Sequence, residues 1–118
     1  MSDRATYNGW SNYETWCVKL WIDQYRNWQE QARQVWDATD PDEVFNERSA
    51  LARLTLANQL QSAHEDARAE LFHGNANVLS DLLGAALSEV DWSEIADAML
   101  QATSRRSRRR RSSGKTKN

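Results

Sequence analysis

The 118-residue chain is long enough for one domain with tails, and its last fifteen residues, SRRSRRRRSSGKTKN, hold no strong hydrophobe, which leaves about a hundred residues for one modest core. Four glycines and one proline are too few for the turns of an all-β chain, one cysteine excludes an internal disulfide, and no apolar run approaches the ~18 residues that span a bilayer. The net charge of −2 conceals a partition: residues 1–103 carry 7 basic and 17 acidic side chains (−10), and residues 104–118 carry 8 basic and no acidic ones (+8).

The first predicted element is a long helix. Ser11 and Glu14 have the spacing of a capping box, and Asn12 is an alternative cap. Trp21, Tyr25, Trp28, Ala32 and Val35 then recur at helical spacing and form one apolar stripe, widened by Trp16, Leu20 and Trp36. Asp23, Arg26, Glu30 and Arg33 occupy the other face. Upstream, Gly9 permits a turn that folds Tyr7 or Trp10 back over this helix, so that residues 7–16 act as an aromatic staple and cap. Thr15 reads as an ordinary first-turn residue.

Asp40-Pro41-Asp42-Glu43 combines a capping acid, a proline at the first helical position and a glutamate at the third, so a second helix is expected from there to Phe72 or His73, closed by Gly74. Leu56, Leu60, Ala63, Ala67 and Leu71 form its stripe. A phase drift near Asn46–Ser49 leaves open whether residues 41–73 form one helix or two. Asn77 caps a third helix with Leu79, Leu82, Leu83, Ala86, Leu87 and Val90 facing inward. Gly84 within it costs about 1 kcal/mol relative to alanine, a cost explained by close approach of a neighbouring helix. Asp91 and Glu94 repeat the capping spacing and open a short fourth helix at Trp92, with Ile95, Ala96, Met99 and Leu100 on its apolar face. The expected fold is therefore all-α: a bundle of three to four helices over residues 1–103 and a disordered Arg-rich tail over 104–118.

Six tryptophans are many for so short a chain. Each buries ~150–250 Å², roughly 4–6 kcal/mol of gross transfer free energy. Core packing is the expectation for Trp16, Trp21, Trp28 and Trp92. Trp10 and Trp36 lie at predicted helix ends and are the candidates for partner binding.

The stretch Tyr7-Asn8-Gly9-Trp10-Ser11-Asn12-Tyr13-Glu14-Thr15-Trp16, followed by Leu20-Trp21-Ile22-Asp23, resembles the N-terminal signature of a family of small proteins from phages, plasmids and archaeal mobile elements. Val90-Asp91-Trp92-Ser93-Glu94-Ile95-Ala96 resembles the same family's C-terminal element. The resemblance implies a helical domain and an accessory role in a mobile genome. It implies no activity and no catalytic residue, and its pattern does not include the Arg-rich tail.

Residues fit for chemistry are sparse. Glu70-Leu71-Phe72-His73 matches the Glu-x-x-His spacing of di-iron bundles, but the second copy that such a site needs is missing, because Gln61 stands three residues before His64. Both histidines read as solvated helix residues. Cys17 reads as a small hydrophobe in the core, not a nucleophile. No phosphate-binding glycine loop or nucleophile elbow is present. The expectation is a non-enzymatic protein with no metal and no cofactor, in the cytoplasm of a host cell: the N-terminus has no signal-peptide pattern and a lone thiol suits a reducing compartment.

Arg105, Arg106, Arg108, Arg109, Arg110, Arg111, Lys115 and Lys117 form a polycation suited to neutralising phosphates without sequence preference. Ser107, Ser112 and Ser113 are positions where phosphorylation would reduce that charge. Two functions follow. In the first, the tail contacts DNA or RNA and the bundle is an accessory module. In the second, the acidic, Trp-rich body binds and inhibits a host defence or regulatory protein, imitating a nucleic acid. A structural virion role is a third class. Oligomeric state is left open.

Overall fold

In a computed structural model, residues 6–103 are described. They form five helices: α1 (Tyr13–Ile22), α2 (Arg26–Ala38), α3 (Phe45–Leu71), α4 (Val78–Ser88) and α5 (92–103). No strand occurs among the described residues, and none of the helices is long and apolar enough to cross a membrane. The expected disordered tail at 104–118 lies outside the described residues.

The expected first helix is two helices. Asp23 and Gln24 close the last turn of α1, and Tyr25 is extended (φ −112°, ψ 114°) before α2 begins. No glycine or proline marks this break. A straight helix over residues 12–36 would run ~37 Å at 1.5 Å per residue. The chain instead bends so that Thr15 and Ile22 of α1, and Ala32, Val35 and Trp36 of α2, all reach one small core. The bend also breaks the predicted stripe: Trp21 and Tyr25 face outward.

The helix expected from Asp40–Pro41 starts four residues later than Pro41. Asp40 builds a local turn instead, its carboxylate accepting from the Asp42 N–H (2.9 Å) and its carbonyl from the Glu43 N–H (3.1 Å). From Phe45 the helix runs unbroken for 27 residues, so the open question between one helix and two is settled as one. His73 (φ 52°) and Gly74 (φ 73°) end it in the left-handed region, and the Gly74 N–H reaches back to the Ala69 carbonyl at 3.0 Å. α2 and α3 pack antiparallel, Gln31 meeting Gln59 while Trp36 meets Phe45 and Arg48.

The core joins Ile22, Ala32, Val35, Trp36, Ala52, Leu56, Ala57, Leu60, Leu87 and Val90 to Trp92, Ile95, Ala96, Met99 and Leu100. The stripe expected for α5 is buried as a whole. The stripes expected for α3 and α4 are buried only in part. Ala63, Ala67 and Leu71 of α3 are exposed, as are Leu79 and Leu82 of α4, because the α3–α4 hairpin extends beyond the core. Asn77 caps α4 as expected, accepting from the Ser80 N–H at 2.8 Å. The close approach at Gly84 comes from a side chain: a Cβ there would lie 2.7 Å from the Arg68 Cζ. The Arg68 Nε donates to the Ser80 carbonyl at 2.9 Å, fastening α3 to α4.

Candidate functional site

Tyr7-Asn8-Gly9-Trp10 is a tight reverse turn. Tyr7 and Trp10 exchange both backbone hydrogen bonds at 2.8 Å, with Asn8 (φ 49°) and Gly9 (φ 87°) both in the left-handed region. Asn-Gly is the pair best suited to this turn, because two successive positive φ values exclude most side chains. The turn carries the Tyr7 ring onto Tyr13 (5.2 Å, perpendicular) and Trp16 (5.0 Å). Trp10 packs on the core edge, with the Lys19 ammonium 5.7 Å from its ring; Lys19 also pairs with Asp23 at 2.6 Å.

The two segments that carry the family resemblance meet in space. Asn12, not Ser11, caps α1: its Oδ1 accepts from the Thr15 N–H at 2.9 Å, and its Nδ2 donates to the Glu89 carbonyl at 2.7 Å. Thr15 is no ordinary first-turn residue. It is fully buried, and its Oγ1 accepts from the Asp91 N–H at 2.9 Å. Asp91 caps α5 by accepting from the Glu94 N–H at 3.0 Å. The Glu94 carboxylate accepts from the Ser11 N–H at 3.2 Å. The capping box expected at α5 is thus half local and half shared with α1: Asp91 caps the Glu94 N–H, but the Asp91 N–H and the Glu94 carboxylate find their partners in Thr15 and Ser11 instead of in each other. Beside this clasp lies an open cleft of about 560 Å³ between Ser11–Asn12, the Leu54–Asn58–Gln61 side of α3 and the α4–α5 corner.

α1 presents apolar residues on two sides. Thr15, Val18 and Ile22 face the core. Tyr13, Trp16, Cys17, Leu20 and Trp21 form a second stripe; Tyr13 is 51%, Leu20 41% and Trp21 59% exposed, and Trp16 and Cys17 are half-buried. The Tyr13 phenol is held above its ordinary pKa of 10.0, chiefly by hydrogen bonding with the Cys17 side chain. Cys17 is therefore at the surface stripe and not in the core.

The tail residues Arg105, Arg106, Arg108, Arg109, Arg110, Arg111, Lys115 and Lys117 lie outside the described residues. Of the two tryptophans singled out for partner binding, Trp36 is a core residue, 6% exposed, with the Arg48 guanidinium 4.0 Å from its ring and Phe45 edge-on at 5.9 Å. Trp10 is half-buried. The most exposed tryptophan is Trp21, for which the sequence predicts core packing. The signal was present at positions 13, 16, 17, 20 and 21, an i, i+3, i+4, i+7, i+8 set. The predicted stripe of Trp21, Tyr25 and Trp28 crosses the break between α1 and α2, so its members do not share a helix face.

His64 is half-buried instead of lying on a solvated face. It sits between Trp28 (6.1 Å, near-parallel) and Trp92 (5.1 Å), with its Nδ1 2.7 Å from the Leu60 carbonyl. His73 lies past the end of α3, off the helical face of Glu70, so the Glu-x-x-His spacing brings no ligand pair together. Among the described residues no group of three His, Cys, Asp or Glu side chains converges as a metal site. Six basic side chains stand among these residues. Lys19 pairs with Asp23; Arg33 pairs with Glu30 and Asp37, which raises its pKa further. Arg48 lies on Trp36, and Arg68 is held by Ser80 and Glu65.

These features define a small all-α protein whose two sequence signatures form one clasp and whose first helix is apolar on both sides. The chain belongs to a family of unknown function, DUF7249, which matches residues 3–104. The match ends before the arginine run. No curated protein and no solved structure matches the chain.

Proposed function

We propose that this is a non-enzymatic binding protein whose basic segment, residues 104–118, contacts nucleic acid without sequence preference while the helical body serves as the accessory module. The charge partition carries this reading: −10 on residues 1–103 against +8 on the last fifteen. Geometry supports it, because four of the six basic side chains in residues 6–103 are engaged within the body by carboxylates, an indole ring or a backbone carbonyl. Phosphate contact then falls to Arg105, Arg106, Arg108–Arg111, Lys115 and Lys117. The resemblance to proteins of phages, plasmids and archaeal mobile elements adds the setting: an accessory protein of such a genome, acting in the host cytoplasm.

The test is fluorescence anisotropy of labelled duplex DNA, single-stranded DNA and RNA. Each is titrated with the full chain and with a full-length variant whose eight tail cations are glutamines. Contact with six phosphates would weaken binding roughly a thousandfold between ~50 and ~200 mM salt, and the glutamine variant should not bind. Equal binding by both proteins would overturn the reading.

A second reading, inhibition of a host defence or regulatory protein, is favoured by the body's acidic surplus of sixteen carboxylates over six basic groups in residues 6–103. Such a surface imitates the charge of a nucleic acid. It predicts a basic-grooved host protein that nucleic acid displaces competitively and that the glutamine variant still binds.

A further inference from the structure

We propose that the outer stripe of α1 is a two-fold interface with a second copy of this chain, with Cys17 beside the axis. The inference is independent of the tail and of any host protein.

Three observations point to a second copy. The first is the stripe's symmetry. Cys17, the small residue, lies four positions after Tyr13 and four before Trp21, so large rings flank a narrow centre. When two such helices cross antiparallel about a two-fold axis, the central residue meets its own copy. Tyr13 of each chain then meets Trp21 of the other, and Cys17 lets the helix axes approach closely.

The second is charge. In a body of −10, the stripe itself carries no ionised group: Lys19 is turned to Asp23 and the Trp10 ring, and Glu14 stands at the side. This is where a second acidic body can approach without placing carboxylates face to face. A strongly basic partner would be drawn to other surfaces.

The third is area. Rings of ~150–250 Å² each, exposed to the extent found at Tyr7, Tyr13 and Trp21, together with Leu20 and the half-buried Trp16, offer roughly 450 Å² of apolar surface. A standard interface buries about 800 Å² per partner, a little over half of it apolar. The stripe therefore supplies the apolar centre of an interface of ordinary size.

The experiment is size-exclusion chromatography with light scattering on the full chain over a range of concentrations. The expected mass is twice 13.6 kDa, falling to the monomer value for Trp21→Lys and for Leu20→Lys. Both residues are exposed, and circular dichroism of each variant checks that its helices are retained. Leu82→Lys, on the separate exposed patch of the α3–α4 hairpin, should leave the dimer intact. A short bismaleimide should link Cys17 to Cys17 in the wild type and not in Trp21→Lys. A monomer at every concentration would overturn self-pairing and leave the stripe to a different protein. A dimer that survives both α1 variants but is lost with Leu82→Lys would overturn it in favour of the hairpin.

Discussion

Trp36 and Trp21 are the same residue type fifteen positions apart, and the fold uses them in opposite ways. Trp36 is sealed between Arg48, Phe45 and the core, whereas more than half of Trp21 meets solvent. Large-to-small changes cost transfer free energy plus a cavity where the site is packed, and little where it is open. Trp36→Ala should therefore lower unfolding free energy by about 3–5 kcal/mol, and Trp21→Ala should stay within about 0.5 kcal/mol when measured on the monomer in urea. The sequence places the two the other way round, Trp21 in the core and Trp36 at a partner surface, because helical periodicity is meaningful only inside one continuous helix. The extended Tyr25 that breaks the helix carries no glycine or proline signal.

At the scale of elements, α3 and α4 are joined by an arginine lying over a glycine. The sequence marks Gly84 as a place of close approach but not what approaches, since nothing local to either residue ties Arg68 to Gly84. The Arg68 guanidinium fills the space a Cβ would take and donates to the Ser80 carbonyl. Glycine within a helix costs about 1 kcal/mol relative to alanine, so two opposing effects meet at this position. Gly84→Ala should stabilise by about 1 kcal/mol only in the Arg68→Ala background. In the wild type the gain should be cancelled or reversed as the guanidinium is displaced. A double-mutant cycle on thermal unfolding measures that coupling directly.

For the whole molecule the decisive contact is long-range. Asn12 and Thr15 bond to Glu89 and Asp91 across 76–77 positions, tying α1 to the α4–α5 corner. Thr15→Val keeps the volume but leaves the Asp91 N–H without its acceptor, a loss of about 1–3 kcal/mol. Because the clasp joins α1 to α5, hydrogen exchange should quicken in both helices together. The tip of the α3–α4 hairpin, which takes no part in the clasp, should be unchanged.

By itself the sequence determined the helical class, Asn77 as the cap of α4, the closure of α3 by Gly74, the buried face of α5 and the division of charge. Each is a local matter of capping chemistry, periodicity or composition. Both signature segments fall within the residues 3–104 that the family covers, but the sequence does not say why they belong together. The tertiary structure alone decided that the first helix breaks, that Thr15 is a buried acceptor, that Trp36 lies inside and that Trp21 lies outside. Those outcomes depend on fitting five helices around one small core. The clasp residues are polar, and nothing local to either segment announces a hydrogen bond to a partner more than seventy positions away.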